Sequence, residues 1–360
     1  VSTAAVVPGK ESGPAPLKAE DFRSDQEVRW CPGCGDYAIL NAVAAVFPKL
    51  GIRKEEFVVV SGIGCSSRFP YYMDTFGFHG IHGRAPAIAT GLKASRPELH
   101  VWVVTGDGDG LSIGGNHLIH ALRRNADLKI LLFNNRIYGL TKGQASPTSE
   151  VGKRTVSSPA GTVERPFNPI AVALAAEATF VARSVDVYKE HLQETLLRAA
   201  GHRGSAFVEI YQNCNIFNDG AFSEITEREL RDQNNLVLRH GQPMVFGPKA
   251  ARKGLRRRAG DGRLEVVALG DGVDEAALLK HDETAQDPGL AYALSHLDPP
   301  EYPVPIGVFR SLELPTFEDR LWDQIGTARK AKPKADLAAL LKRGDVWEIR
   351  QDGQIVEIGG

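Results

Sequence analysis

The chain has 360 residues, with 43 Lys and Arg against 44 Asp and Glu and a formal charge of −1 at pH 7. Hydrophobic residues make up 42% and charged residues 24%; this ordinary globular usage excludes wholesale disorder, a collagen-like repeat and a disulfide-stapled miniprotein, and the balanced charge gives no global pull toward nucleic acid or anionic lipid. No apolar run has the length of a bilayer span, and the first residues lack the charged start and apolar middle of a signal peptide, so the expected compartment is the cytoplasm. In that compartment the 4 cysteines stay thiols unless a metal or redox chemistry uses them.

Taken in chain order, residues 1–26 read as a mobile arm, rich in turn formers and without an apolar period. A helix is predicted from Asp36, which can cap it; Ile39, Val43, Val46, Phe47 and Leu50 recur at helical spacing, and Pro48 disturbs the last turn. Phe57 to Val60 read as a buried strand that feeds the loop Ser61-Gly62-Ile63-Gly64, with Cys65 at its end. Further strands are predicted at 101–104, 130–133, 179–183 and 206–211, and helices near 112–124, 169–178 and 187–200. This alternation predicts an α/β fold, a doubly wound and mostly parallel sheet over 27–221. Residues 222–360 read as a C-terminal extension of unknown role, with more charge, Pro and Gly and candidate strands at 266–269 and 347–349. The basic run 249–258 is expected to be a solvated loop, with docking of an acidic protein as the lesser reading.

Two motifs carry chemistry. Gly106-Asp107-Gly108-Asp109-Gly110 follows one predicted strand, and Asn134-Asn135 closes the next. Carboxyl ends of parallel strands line one crevice, so Asp107 and Asn135 can converge on one ion, and their oxygens suit magnesium. The glycines let backbone approach a diphosphate. A generic nucleotide site competes, although no G-x-G-x-x-G or P-loop pattern follows an early strand. The second motif is Cys31-Pro32-Gly33-Cys34-Gly35, joined by Cys65 and Cys214 in strand-end loops. Structural zinc, a thioredoxin-like pair, unrelated buried thiols and an iron-sulfur cluster all remain open for these thiols.

Read together and in order, CPGCGD, SGIGCSSRFP, HGIHGRAPAIATG, TGDGDG, NNRIYGLTKGQ and NCNIF closely resemble the beta subunit of 2-oxoacid:ferredoxin oxidoreductases, over residues 29–219. The GCSSR form is similar to the 2-oxoglutarate branch. The resemblance implies a sheet of the thiamine-diphosphate-binding type, with Mg2+ held by Asp107, Asn135 and the carbonyl of Ile137. It implies one [4Fe-4S] cluster on Cys31, Cys34, Cys65 and Cys214. Thiamine diphosphate contacts are expected from Gly64, Cys65, Ser66, Ser67, His82, Gly106, Gly108, Asp109, Leu140 and Thr141. Arg68 is expected to take the distal carboxylate of 2-oxoglutarate, and Lys142 to guide a substrate carboxylate or to be an exposed loop lysine. The implied reaction turns 2-oxoglutarate and coenzyme A into succinyl-CoA and CO2 and passes electrons to ferredoxin. One α/β domain leaves no room for a pyrimidine-binding domain, so an alpha subunit carrying it is implied, in an α2β2 heterotetramer. The rival readings are a pyruvate-specific or broad-range relative, a thiamine enzyme without a cluster, and a zinc-stabilised non-catalytic module.

Overall fold

The computed structural model describes residues 17–270, 275–331, 336–341 and 343–357; the arm expected over 1–16 lies outside them. In chain order the strands are β1 (Phe57–Ser61), β2 (Phe76–His79), β3 (His100–Gly106), β4 (Leu128–Asn134), β5 (Phe180–Val185), β6 (Ala206–Tyr211) and β7 (Asn235–Leu238). They continue as β8 (Val245–Phe246), β9 (Lys253–Arg257), β10 (Leu264–Ala268), β11 (Val304–Ser311), β12 (Trp347–Ile349) and β13 (Ile355–Glu357). Eight of them form one sheet in the order β2-β1-β3-β4-β6-β5-β11-β7. Every neighbouring pair in it is parallel except β5 and β11, which bears out the expected mostly parallel α/β fold.

Both faces of this sheet are covered, which is why its strands read as unbroken apolar runs. Val58, Val60, Val101, Val103, Ile130 and Leu132 pack in one core, and the alternate residues Phe57, Val59, Trp102, Val104, Leu131 and Phe133 pack in the other. The helices needed below are α1 (Asp36–Val46), α2 (Phe69–Tyr72), α3 (Ala85–Ser95), α4 (Asp107–Leu111), α5 (Gly115–Arg124), α6 (Pro169–Ala175) and α7 (Lys189–Gly201). Buried residues of α3, α5 and α6 join the first core, and those of α1 and α7 the second.

Several expectations are corrected. Residues 19–22 form a turn of 3-10 helix, and Phe22 is buried against the Phe47 and Phe57 rings at centroid distances of 5.4 and 5.5 Å, so this part of the arm is anchored. Gly35 rather than Asp36 is the cap of α1, and Asp36 is its first residue, with its carboxylate buried. Burial first, then the nearby Asp186 charge, pushes the Asp36 carboxyl up to about 7. Pro48 acts as expected, since α1 stops at Val46 and 47–50 tighten into 3-10 helix. The helix expected near 112–124 is α5, and a further short helix, α4, precedes it, so the GDGDG segment is itself helical from Asp107.

By compactness the chain divides after Glu318. Residues 222–318 are therefore no appendage to the sheet: β7 and β11 belong to it. Half of the basic run lies on β9, in a small antiparallel sheet with β8 and β10. Two of its charges are met locally, Arg256 by Glu265 at 2.6 Å and Arg258 by Asp261. The unit from Asp319 contains the β12–β13 hairpin, which places a strand at 347–349 as expected. Among the described residues, no helix is long and apolar enough to cross a membrane.

Candidate active site

Four strand-end loops build the site. They follow β1, β3, β4 and β6, which are adjacent in the sheet and parallel, so the carboxyl end of each opens into the same crevice. The loop after β1 is held by Asp109. Its Oδ1 accepts from the backbone N–H of Ile63 at 3.1 Å and of Gly83 at 2.8 Å and pairs with His82 Nδ1 at 3.0 Å, while its Oδ2 accepts from Thr105 Oγ1 at 2.6 Å. The approach is close. A Cβ on Gly62 would stand 2.0 Å from Asp109 Oδ2, and one on Gly108 would stand 2.2 Å from the Tyr138 ring, so both positions require glycine.

A cavity of about 80 Å3 lies over these loops, lined by Ile63 to Ser66, His82, 106–109, Phe133, Asn135 and Ile137 to Thr141. It gathers Asp107, Asn135 and Ile137 with all the expected cofactor contacts but one. Ser67 is the exception: it is buried behind the wall, and its hydroxyl has no hydrogen-bond partner among the described residues. Asp107 is buried, and burial pushes its carboxyl above the usual range. Ser146 and Thr148 both donate to its Oδ2, Thr148 at 2.6 Å. Sequence reasoning missed both residues, since no motif marks them. The two asparagines of the doublet part company. Asn134 Nδ2 donates to Glu209 at 2.7 Å, whereas Asn135 faces the cavity.

A second cavity, of about 200 Å3, adjoins the first through Cys65, Asn135, Gly139 and Leu140, which line both. All four cysteines line it, with Trp30, Ile216 and Phe217 as apolar wall and Arg29, Arg68 and Lys142 as cations. Three bonds assemble it. Trp30 Nε1 donates to the Cys65 carbonyl at 2.7 Å, Gly35 N–H to the Asn213 carbonyl at 3.1 Å, and Asn215 Nδ2 to the Pro32 carbonyl at 2.7 Å. The CPGCG loop thereby docks on both other cysteine loops. A Cβ on Gly139 would lie 3.4 Å from Cys214 Sγ and 3.6 Å from Cys65 Sγ.

The thiols of Cys34 and Cys65 are pushed up, Cys65 to about 12, by burial first and then by the charge of Asp36. Among the described residues, no three His, Cys, Asp or Glu side chains converge closely enough to hold a single ion; the sulfurs ring a space instead. Arg68 and Lys142 stand on this second cavity and not on the first. Arg68 also donates to the Arg29 carbonyl at 3.1 Å.

Residues 62–210 match the thiamine pyrophosphate enzyme family's C-terminal TPP binding domain. The fold is thus that of the thiamine pyrophosphate enzymes. The chain is 54% identical over 338 residues to the 2-oxoglutarate oxidoreductase subunit KorB of Mycobacterium tuberculosis, covering 93% of this chain and 89% of that protein. It is 46% identical over 198 residues to the 2-oxoacid:ferredoxin oxidoreductase 1 beta subunit of Aeropyrum pernix, covering 55% of this chain and 62% of that one. Among solved structures it is similar to the 2-oxoglutarate:ferredoxin oxidoreductase from Magnetococcus marinus with 2-oxoglutarate, coenzyme A and succinyl-CoA bound. That match has a TM-score of 0.68 and 32% identity, over 89% of this chain and 92% of that one. The chain belongs to the family of 2-oxoacid:ferredoxin oxidoreductase beta subunits that includes subunit KorB, and it is part of an enzyme.

Proposed function

We propose that this chain is the thiamine-diphosphate-binding beta subunit of a 2-oxoglutarate:ferredoxin oxidoreductase of the cytoplasm. The complex converts 2-oxoglutarate and coenzyme A to succinyl-CoA and CO2 and delivers the electrons to ferredoxin. One observation carries the reading: the two cavities share Cys65, Asn135, Gly139 and Leu140 as a common wall, so a cofactor in one and an electron acceptor in the other would be neighbours. When bound, thiamine diphosphate supplies the electron sink for decarboxylation, Mg2+ neutralises its diphosphate, and a [4Fe-4S] cluster takes electrons singly.

The residues fit these groups. Asp107 is a buried carboxylate with hydroxyl partners and no ion pair among the described residues, so a divalent cation held with Asn135 and the Ile137 carbonyl would supply its countercharge. Gly64, Cys65, Ser66, His82, Gly106, Gly108, Asp109, Leu140 and Thr141 line the space for the cofactor. Ser67 supports that wall from behind. A single zinc ion needs four sulfurs within about 2.3 Å of one point. The ring of Cys31, Cys34, Cys65 and Cys214 around a larger cavity instead supports a multi-atom cluster, whose iron would displace the thiol protons. Arg68 and Lys142 are two of the three cations on this wall, and we assign them to substrate carboxylates, Arg68 to the distal one. The pyrimidine-binding domain would come from an alpha subunit in an α2β2 assembly.

The test is anaerobic reconstitution with the alpha partner, followed by coenzyme A-dependent dye reduction with 2-oxoglutarate, pyruvate and branched oxoacids. The reading expects 2-oxoglutarate to be preferred and Arg68→Ala to raise its KM at least 10-fold. Preference for pyruvate, with 2-oxoglutarate turnover untouched by Arg68→Ala, would favour the pyruvate or broad-range reading.

A further inference from the structure

Gln212 follows β6 directly and touches both candidate centres. It is 1% exposed. Its Oε1 accepts from Asn135 Nδ2 at 2.9 Å, and its Nε2 donates to Cys34 Sγ at 3.2 Å and to the Asn213 carbonyl at 2.6 Å. Its backbone N–H donates to the Asn134 carbonyl at 2.9 Å, so the residue is fixed by main chain as well. We propose that Gln212 is a positioning residue joining the two centres, turning Asn135 toward the metal with its oxygen and donating to the Cys34 sulfur with its nitrogen.

The directions of these bonds follow from backbone groups whose roles cannot change. The Asn213 carbonyl only accepts, so the nitrogen of the Gln212 amide must face it. That nitrogen is then also the group beside Cys34, and Oε1 is left for Asn135. Asn135 must answer with its NH2, which turns its Oδ1 toward the Ile137 N–H, a donor at 3.1 Å. The Asn135 oxygen therefore sits beside Ile137, another residue assigned to the same ion. A flipped amide at either residue would set two donors or two acceptors against each other.

Two consequences follow, and both rest on the function proposed above. Outer partners of a metal ligand set its orientation, and their loss costs about 10- to 100-fold in metal affinity. An N–H donated to a cluster-binding sulfur stabilises the more negative reduced state, so it raises the reduction potential. One side chain would thus set the Mg2+ affinity of the thiamine site and the potential of the neighbouring cluster.

The experiment uses the complex reconstituted with its alpha subunit and compares wild type, Gln212→Met and Gln212→Glu. Mg2+ affinity is read from cofactor binding by near-UV circular dichroism, the midpoint potential from a dye-mediated titration followed by EPR, and folding from the melting temperature. Gln212→Met loses all three side-chain bonds; it is expected to need about 10-fold more Mg2+ for half-saturation and to have a more negative midpoint. Gln212→Glu keeps an acceptor for Asn135 but has no N–H for Cys34 or for the Asn213 carbonyl and adds a negative charge beside the cluster, so its midpoint should fall further than that of Gln212→Met. A folded Gln212→Met complex with wild-type Mg2+ affinity and midpoint would overturn the proposal. Should the wild-type complex take up no iron, the cysteine assignment fails with the Cys34 half of the proposal, while the Mg2+ shift in Gln212→Met still decides the Asn135 half.

Discussion

Asp109 offers the sharpest test of how the strand-end loops are held. Its carboxylate is 2% exposed and accepts from Ile63 N–H, Gly83 N–H and Thr105 Oγ1 besides pairing with His82. Asp109→Ala strips all four. Thr105 can turn toward the Gly106 carbonyl, already 3.4 Å away, and His82 is half exposed, so two backbone donors bear the loss. An unpaired buried donor costs about 1–3 kcal/mol, which sets the expected destabilisation at about 2–6 kcal/mol, lower if water enters. Asp109→Asn keeps one oxygen for the two N–H groups and turns its NH2 to the Thr105 hydroxyl, which can accept. Only charge assistance is lost, about 1 kcal/mol. Urea unfolding of the cofactor-free chain, followed by tryptophan fluorescence, separates the two variants. Equal stability of Asp109→Ala and wild type, or equal damage from both substitutions, would refute the scaffold role and return Asp109 to a direct cofactor contact.

Three further outcomes are expected. Asp127 accepts from Lys129 at 2.6 Å and Lys93 at 2.8 Å, both buried, and Asp127→Asn should cost about 3–5 kcal/mol in the same urea assay by leaving two buried ammonium groups with only the more distant Glu318 as countercharge; a loss under about 1 kcal/mol contradicts this. His100 and His202 are each held down to about 4, by burial first and then by Lys129. Trp102 Nε1 donates to His100 Nδ1 at 2.8 Å, a bond that only the neutral ring accepts. The unfolded histidines take up protons near pH 6.5, so this stability is whole above that pH and is lost as pH falls from 6.5 to about 4, by roughly 3 kcal/mol per group at most. A His100→Asn variant should show a shallower decline of urea midpoint over that window, and an unchanged slope would remove the histidine from the account. Gly108→Ala drives a methyl to 2.2 Å from the Tyr138 ring and should weaken thiamine diphosphate binding at least 10-fold by calorimetry. Wild-type affinity would mean that the loop relaxes freely.

The sheet was legible where burial on both faces left a signal. Strands β1, β3, β4, β5 and β6 read as apolar runs because their alternate residues feed opposite cores. Strand β2 hid because it is the open edge, with Phe76 and Phe78 more than half exposed. Strand β11 hid because Pro305 and Gly307 interrupt its sequence; its place beside β5 depends on a partner more than 100 residues away in the chain. The residues that converge on the two cavities were legible through type and spacing, as GDG, NN and four cysteines. What was not legible is the shell that aims them. Ser146, Thr148 and Gln212 are ordinary polar residues whose roles arise only when the chain brings them under Asp107, Asn135 and Cys34. Ser67 erred in the other direction: its neighbour Ser66 faces the cavity, and the 3-10 turn at Ser66–Arg68 carries Ser67 inward.

The central claim is that four thiols ring one cluster beside a thiamine site. Iron and sulfide analysis with EPR on the anaerobically reconstituted complex tests it most directly, in wild type and in single Cys→Ser variants at positions 31, 34, 65 and 214. The account expects one [4Fe-4S] cluster per chain in wild type, reducible by dithionite, and its loss or conversion in every variant. Zinc without iron in the wild-type protein, or an unaltered cluster in the Cys214→Ser protein, would contradict it.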